Sequence, residues 1–309
     1  MTLAVFYSAR YHIDIGLHVF PTQKYRLVRD AVLALPEAAA GSLAIHEPEP
    51  ASWDELALVH TTEYLGKLHD GTMTDADIAQ LELPWSAEMV EGFRMMVGGT
   101  IQAALGACQG GGITVHIGGG LHHGFANHGE GFCPFNDVAV AVRVLQSRGI
   151  ERAAIVDLDV HHGNGTAFIF ERDPRVFTFS MHQQHNYPMW KPKGSLDIGL
   201  PDGVHDTAYL AALENALPTV LASAPECVFY LAGADPFEDD QLGGLRLTRD
   251  GLRRRDRMVI AAVRNAKLPL VIVLAGGYAR KVEDTVAIHV GTIAAALDSV
   301  TKTTKHEEG

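Results

Sequence analysis

The chain has 309 residues, 37 acidic against 25 basic side chains, and a formal charge of −12. At 47% apolar and 20% charged residues it can bury a large core, which excludes a disordered chain, and the acidic balance argues against a nucleic-acid partner held by overall charge. Its cysteines, Cys108, Cys133 and Cys227, are scattered and form no CxxC, which excludes a disulfide scaffold or a cysteine-built zinc finger and fits a reducing compartment.

The opening MTLAVFYSAR lacks the basic flank and long apolar stretch of a signal peptide, and no run of about 18 uncharged apolar residues exists to span a membrane. The expectation is a soluble cytoplasmic protein with no membrane span. In chain order, strand Leu3–Tyr7 and helix Lys24–Ala34 come first. Helix Ser86–Cys108, strand Ile113–Ile117, helix Pro134–Ser147 and strands Ala153–Leu158 and Val176–Met181 follow. Helix Asp206–Ala222, strand Cys227–Leu231, helix Arg249–Ala266, strand Leu270–Ala275 and helix Val282–Leu297 complete the series. The strands are apolar nearly throughout, as strands covered on both faces are. Thr248 is a candidate N-cap, with Asp250 in the first turn where the helix dipole favours it. The alternation predicts an α/β fold: one three-layer α/β/α domain with a central, mainly parallel sheet over residues 1–300, then a polar tail at 301–309.

In such sheets, sites lie beyond the carboxyl ends of the strands. Those ends carry Gly118-Gly119-Gly120-Leu121-His122-His123, Asp157-Leu158-Asp159-Val160-His161, His182 with His185, Gly233-Ala234-Asp235, and Gly276-Gly277-Tyr278. If the third strand runs on through Asp159, residues 157, 159 and 161 point the same way. Asp159, His161 and Asp235 then form a mixed oxygen and nitrogen set suited to Zn²⁺, Fe²⁺ or Mn²⁺, with a position open for water and substrate. The competing reading is that the aspartates cap a helix and His161 packs in a loop. Two adjacent histidines at the lip of a metal site suit proton transfer near neutral pH, provided each ring is oriented through its other nitrogen. Asp157 can serve one and Asn164 the other; a surface pair is the alternative. The Tyr278 hydroxyl can donate to an oxyanion, or the ring can pack on a helix start. Gly131-Phe132 and Tyr187-Pro188 either wall a narrow channel or belong to the core. No P-loop, GxGxxG fingerprint or G-x-S-x-G elbow is present.

Taken together, GGGLHHGFANHGEGFCPFNDVAVAV (118–142), IVDLDVHHGNGT (155–166), VFTFSMH (176–182), GADPFEDDQLGGLRLT (233–248) and LAGGYA (274–279) resemble the zinc-dependent histone deacetylase and acetylpolyamine amidohydrolase superfamily, which has an arginase-like α/β fold. Weaker similarity reaches residues 18–25 and 58–68, so the resemblance spans residues 5 to 295. Within the superfamily the chain looks most like the class IV branch. The resemblance implies zinc at Asp159, His161 and Asp235, with Fe²⁺ as the alternative metal. It also implies His123 as general base and acid, His122 as electrostatic partner oriented by Asp157, and Tyr278 as carbonyl polariser. Gly131, Phe132 and Tyr187 would line the acyl channel, with Leu242 at its rim. A structural K⁺ is implied near Asp157, Asp159, His161 and Ser180, and a second monovalent cation near Phe170, Asp173 and Val176. Asn164 stands where some members have Asp, which would tune His123. No rim aspartate is identifiable: Asp75 and Asp77 match no motif.

The implied activity is hydrolysis of an acyl group, acetyl or longer, from the ε-amine of a lysine in a protein or peptide. Its rivals are an acetylpolyamine or other small-amine amidohydrolase, a catalytically silent acyl-lysine-binding module, and an arginase-like binuclear manganese hydrolase. Acyl length and oligomeric state are open.

Overall fold

The structure, a computed structural model, describes residues 2–110 and 112–307. Its strands are β1 (Leu3–Phe6), β2 (Leu43–His46), β3 (Ile113–His116), β4 (Ala153–Asp157), β5 (Val176–Gln183), β6 (Leu196–Leu200), β7 (Cys227–Leu231) and β8 (Leu270–Val273). They form one sheet in the order β2-β1-β3-β8-β7-β4-β5-β6, and every pairing is parallel. The four central strands, β3, β8, β7 and β4, are buried at every position. That is why they read as unbroken apolar runs.

The six expected strands are all present, with ends shifted by a few residues. The two unexpected ones, β2 and β6, are the edges of the sheet. Each is half covered: LDIGL of β6 alternates between partly buried and exposed positions. A short edge strand next to Gly and Ser gives a weak apolar signal.

The helices are α1 (Lys24–Leu33), α2 (Pro36–Ala39), α3 (Trp53–Leu56), α4 (Thr62–Asp70), α5 (Asp75–Leu81), α6 (Ala87–Gly110), α7 (Asp137–Ser147), α8 (Asn164–Phe170), α9 (Asp206–Ala222), α10 (Arg249–Asn265) and α11 (Val282–Glu307). Helix α6 packs on α7 and on β1, β3 and β8, while α1, α11, α10 and α9 form a contiguous row on the other face. Thr248 caps α10 as its sequence predicts, its hydroxyl accepting from the N–H of Gly251. Helix α7 begins later than expected, at Asp137, because the Asn136 side chain accepts from the Ala139 N–H and fixes the first turn there. The expected tail is part of α11 as far as Glu307, and residues 308–309 lie outside the described residues. Among the described residues, no helix is long and apolar enough to cross a membrane.

The sheet order brings the carboxyl ends of β3, β8, β7 and β4 side by side at the centre, and the loops leaving those ends carry the candidate residues.

Candidate active site

Strand β4 ends at Asp157, so Asp159 and His161 are not aligned by strand alternation. The chain bends instead, and two carboxylates hold the bend. Asp157 Oδ1 accepts from the Asp159 N–H at 3.2 Å, and Asp159 Oδ1 accepts from the His161 N–H at 3.0 Å. These bonds from a side chain to the backbone two residues on are successive aspartate turns. They set Asp159 and His161 beside Asp235, which follows β7. One ligand atom from each of these three buried residues lies within 4.8 Å of the others. Asp159 Oδ2 accepts from the Gly276 N–H at 2.8 Å, and Asp235 Oδ1 accepts from the Val160 N–H at 2.9 Å. A Cβ on Gly276 would stand 2.0 Å from Asp235 Oδ2, so only glycine lets the β8 loop close on the cluster.

The cluster seeks a cation. Asp235 Oδ2 is buried and has no hydrogen-bond partner, lying 3.5 Å from His161 Nδ1. Burial and the adjacent Asp159 charge push the Asp235 carboxyl up to about 7. Burial disfavours charge on His161, yet Asp159 and Asp235 outweigh it and lift the imidazole to about 10. Two carboxylates and a neutral imidazole match the charge and ligand preferences of a divalent ion such as zinc, and three protein ligands leave coordination positions open.

The His pair sits in the loop leaving β3. Gly119 and Gly120 take positive φ, +71° and +79°, and a Cβ on Gly120 would meet the Ala275 Cβ at 2.5 Å. The buried Asp137 carboxylate ties this loop to α7, accepting from the N–H groups of Gly120 (3.0 Å) and Leu121 (2.7 Å). His122 Nδ1 is 2.7 Å from Asp157 Oδ2, and His123 Nδ1 is 2.7 Å from Asn164 Oδ1. The two Nε2 atoms lie 3.1 Å apart. Burial opposes charge on His122, but Asp157 and Asp159 overcome it and raise the imidazole to about 9. Burial and the charges of His122 and His161 hold His123 well below the ordinary histidine value. One ring is thus built to carry a proton and its neighbour to be bare.

Tyr278 lies in the loop leaving β8, its ring 6.4 Å from that of His161. Burial raises the phenol well above its usual range, so the hydroxyl stays a donor. Its backbone N–H donates to Asp240 Oδ2 at 2.7 Å.

His122, His123, Asp159, His161 and Tyr278 line a cavity of about 180 Å³, whose wall includes Gly131, Phe132, Tyr187 and Leu242. Phe132 lies against Tyr278 with ring centres 6.1 Å apart. Gly131 and Phe132 both take positive φ, 53° and 65°, in a two-residue turn closed by reciprocal backbone bonds between Glu130 and Cys133. That turn aims the Phe132 ring at the cavity.

Other candidate residues fall elsewhere. His182 is buried against His162 with ring centres 4.7 Å apart, and His185 is exposed. Asp157, the last residue of β4, is the register partner of Ser180 within β5. Phe170, Asp173 and Val176 lie at or before the start of β5, where Arg143 and Arg175 pair with the Asp173 carboxylate. Asp77 closes a capping box with Thr74 and pairs with Lys67, leaving it no place at the rim. Glu82 lines the cavity instead. Sequence reasoning also missed Glu130, Asp137, Asp240 and Lys24. The buried Lys24 ammonium donates to the Ala275 carbonyl at 2.9 Å beneath Tyr278. Asp240 had a visible pointer in the DDQLGGL run; a contact such as Lys24–Ala275 leaves no local pattern.

A model of the histone deacetylase domain matches residues 18–293. The chain belongs to the histone deacetylase family. It is 42% identical over 274 residues to an uncharacterized protein of Picosynechococcus, covering 88% of this chain and 90% of that one. It is 32% identical to histone deacetylase 2 of Arabidopsis thaliana (92% and 78% covered) and 32% identical to the acetoin utilization protein AcuC of Bacillus subtilis (75% and 65%). The crystal structure of the HDA15 HD domain superposes with a TM-score of 0.79 at 25% identity, covering 96% of this chain and 88% of that one. The arginase-deacetylase fold, a family that hydrolyses acylated amines, and a buried Asp-His-Asp group able to hold the family's zinc therefore coincide in this histone deacetylase relative.

Proposed function

We propose that this protein hydrolyses ε-N-acyl-lysine, with a zinc ion held by Asp159, His161 and Asp235. The observation that carries this reading is the convergence, at the floor of one aromatic-walled cavity, of a cation-seeking cluster, a bare imidazole and a protonated phenol. A divalent ion in that cluster supplies Lewis-acid chemistry: it polarises a carbonyl and makes water acidic near neutral pH.

The chain's own residues do the rest. His123 takes a proton from the attacking water at Nε2, the nitrogen left free by Asn164. His122, backed by Asp157, holds positive charge beside the carbonyl as negative charge develops there. Tyr278 donates its hydroxyl hydrogen to the carbonyl oxygen. His123 then returns its proton to the departing amine nitrogen. Phe132, Tyr187 and Leu242 exclude water from the alkyl chain. The reading extends to a structural K⁺ near Asp157 and Ser180, a second monovalent cation near Phe170, Asp173 and Val176, and a class IV-like preference that admits long acyl groups.

A second reading is favoured by one observation. Glu82 puts a carboxylate on the cavity wall, which suits the distal ammonium of an acylated polyamine. The test is one panel on the zinc-loaded protein: acetyl-, octanoyl- and myristoyl-lysine peptides against acetylated polyamines. Turnover of the peptides supports the first reading. Turnover of polyamines alone, lost in Glu82→Gln, supports the second. Tight binding of every ligand with no turnover would replace both with a binding module.

A further inference from the structure

The His123 side of the site has a residue that the mechanism above does not use. Glu130 precedes the Gly131-Phe132 turn, and its side chain is 18% exposed. Its Oε1 accepts from Asn164 Nδ2 at 2.6 Å and from the Tyr187 hydroxyl at 3.1 Å. Its Oε2 faces His128 Nε2 at 3.5 Å and Gln80 Nε2 at 3.5 Å. Burial tends to raise its pKa, but the bonds from His128, Asn164, Tyr187 and Gln80 prevail and lower it, which keeps the group an anion.

An ionised carboxylate only accepts hydrogen bonds, whereas the asparagine amide has one donor end and one acceptor end. Glu130 therefore demands the NH₂ of Asn164. The amide oxygen is then left facing His123 Nδ1, at 2.7 Å. That oxygen can only accept, so Nδ1 must carry the hydrogen and Nε2 must be the bare nitrogen. With no carboxylate at 130, the Asn164 amide can turn over, present NH₂ to Nδ1 and move the ring hydrogen to Nε2. That tautomer cannot act as a base from the cavity side.

We infer that Glu130 is a positioning residue: through the Asn164 amide it fixes the tautomer of His123, and through the Tyr187 hydroxyl it fixes the adjoining wall of the channel. The relay Glu130–Asn164–His123 reaches the imidazole with a carboxylate one residue removed. His123 is thereby oriented without acquiring the charge that Asp157 gives to His122. The inference rests on His123 being the base in the proposed reaction, but the hydrogen bonds it describes exist without turnover.

The test combines three variants with two readouts. Glu130→Gln keeps an acceptor for Asn164, and its kcat should stay within about threefold of the parent. Glu130→Leu removes the acceptor, and kcat should fall by about 10- to 100-fold, with KM little changed. Asn164→Asp alone sets two carboxylates against each other, and it should lose activity while Glu130 is present. Glu130→Leu combined with Asn164→Asp lets the new carboxylate accept directly from Nδ1, and it should recover most of the loss. The second readout is ¹⁵N NMR of the metal-free protein, with the His123 signals assigned from a His123→Gln sample. The parent should show hydrogen on Nδ1 and a bare Nε2; Glu130→Leu should shift the ring toward hydrogen on Nε2.

An unchanged His123 tautomer in Glu130→Leu, or simple addition of losses in the double variant, overturns the inference. If Glu130→Leu does not fold, the pair Asn164→Asp and Glu130→Gln/Asn164→Asp decides the same question, because relief of the carboxylate clash must again restore kcat. A parent inactive on every acyl amine would sink the proposed reaction, while the NMR comparison would still judge the relay.

Discussion

The cavity has two walls built on different principles. The deep wall hangs from strand ends: Asp157, Asp159, His161 and Asp235, with His122 leaning on it, are all buried and rich in carboxylate. The side wall, His123 and Tyr187, stands on a glycine loop and a loop segment and is backed by Asn164 in the first turn of α8 and by Glu130. On the deep wall, a direct carboxylate lifts His122 to about 9 despite its burial. On the side wall, burial prevails, nearby positive charge adds to it, and an amide orients His123 while leaving it neutral. The lesson is that two chain neighbours of the same residue type acquire opposite duties from what stands behind them. The deep wall concentrates charge for an ion and an oxyanion, and the side wall keeps a base available.

The largest effect is expected at the deep wall. Asp235→Asn removes one of its carboxylates, so bound zinc measured by elemental analysis should fall far below one equivalent and turnover should disappear. Full zinc occupancy in that variant would remove Asp235 from the ligand set. Tyr278→Phe, which touches neither wall's electrostatics, should keep zinc and lose about 10²–10³ in kcat. Unchanged turnover would exclude the phenol from the reaction. Asp157→Asn sharpens the contrast itself: His122 keeps an acceptor but loses its ionic partner, and kcat should drop by about 10- to 100-fold. A fall no greater than that of Glu130→Gln would show that the direct carboxylate is not what distinguishes the two histidines.

Gly131→Ala tests the side wall by crowding. The new Cβ would sit 2.7 Å from His123 Cδ2 and 3.0 Å from Tyr187 Cε1, at a φ of +53°. It should cost about 1–2 kcal/mol in stability and reduce kcat with zinc content unchanged.

The smallest effect on the cavity comes from His60, which donates to the Phe125 carbonyl and accepts from the Asn136 N–H. Burial lowers its pKa from 6.5 to about 4. Below about 6.5 the unfolded chain binds a proton that the native chain refuses, so stability is full above that pH and declines as pH falls toward 4. The loss is about 3 kcal/mol at one such site. Urea unfolding of His60→Asn should show a flatter dependence over that interval, whereas an equally steep one would assign the acid sensitivity elsewhere.

The same two walls differ in how far the sequence exposes them. Deep-wall residues follow buried strands, so an apolar run stopping at Asp or Gly marks them directly; the Asp159–His161 geometry alone departs from the expected strand alternation, since aspartate turns produce it. Side-wall support is written in contacts between distant segments. Glu130 meets a residue 34 positions away, and Lys24 one 251 positions away, and neither leaves a periodic trace. Helices α3 and α5 escaped for another reason: they are too short for a hydrophobic period, although the capping boxes Ser52–Glu55 and Thr74–Asp77 announce their starts. The edge strands β2 and β6 lacked the double burial that made the central strands plain.

In the proposed reaction, water activated at this cavity cleaves the acyl amide of lysine. The most direct test is to incubate the zinc-loaded protein with an acyl-lysine peptide in ¹⁸O-water and analyse both products by mass spectrometry. Free lysine peptide and carboxylate are expected in equal amounts, the carboxylate carrying one ¹⁸O, with neither product from Asp235→Asn. Intact acyl-lysine peptide, recovered from a protein with a full equivalent of zinc and the peptide bound, would contradict the proposed reaction.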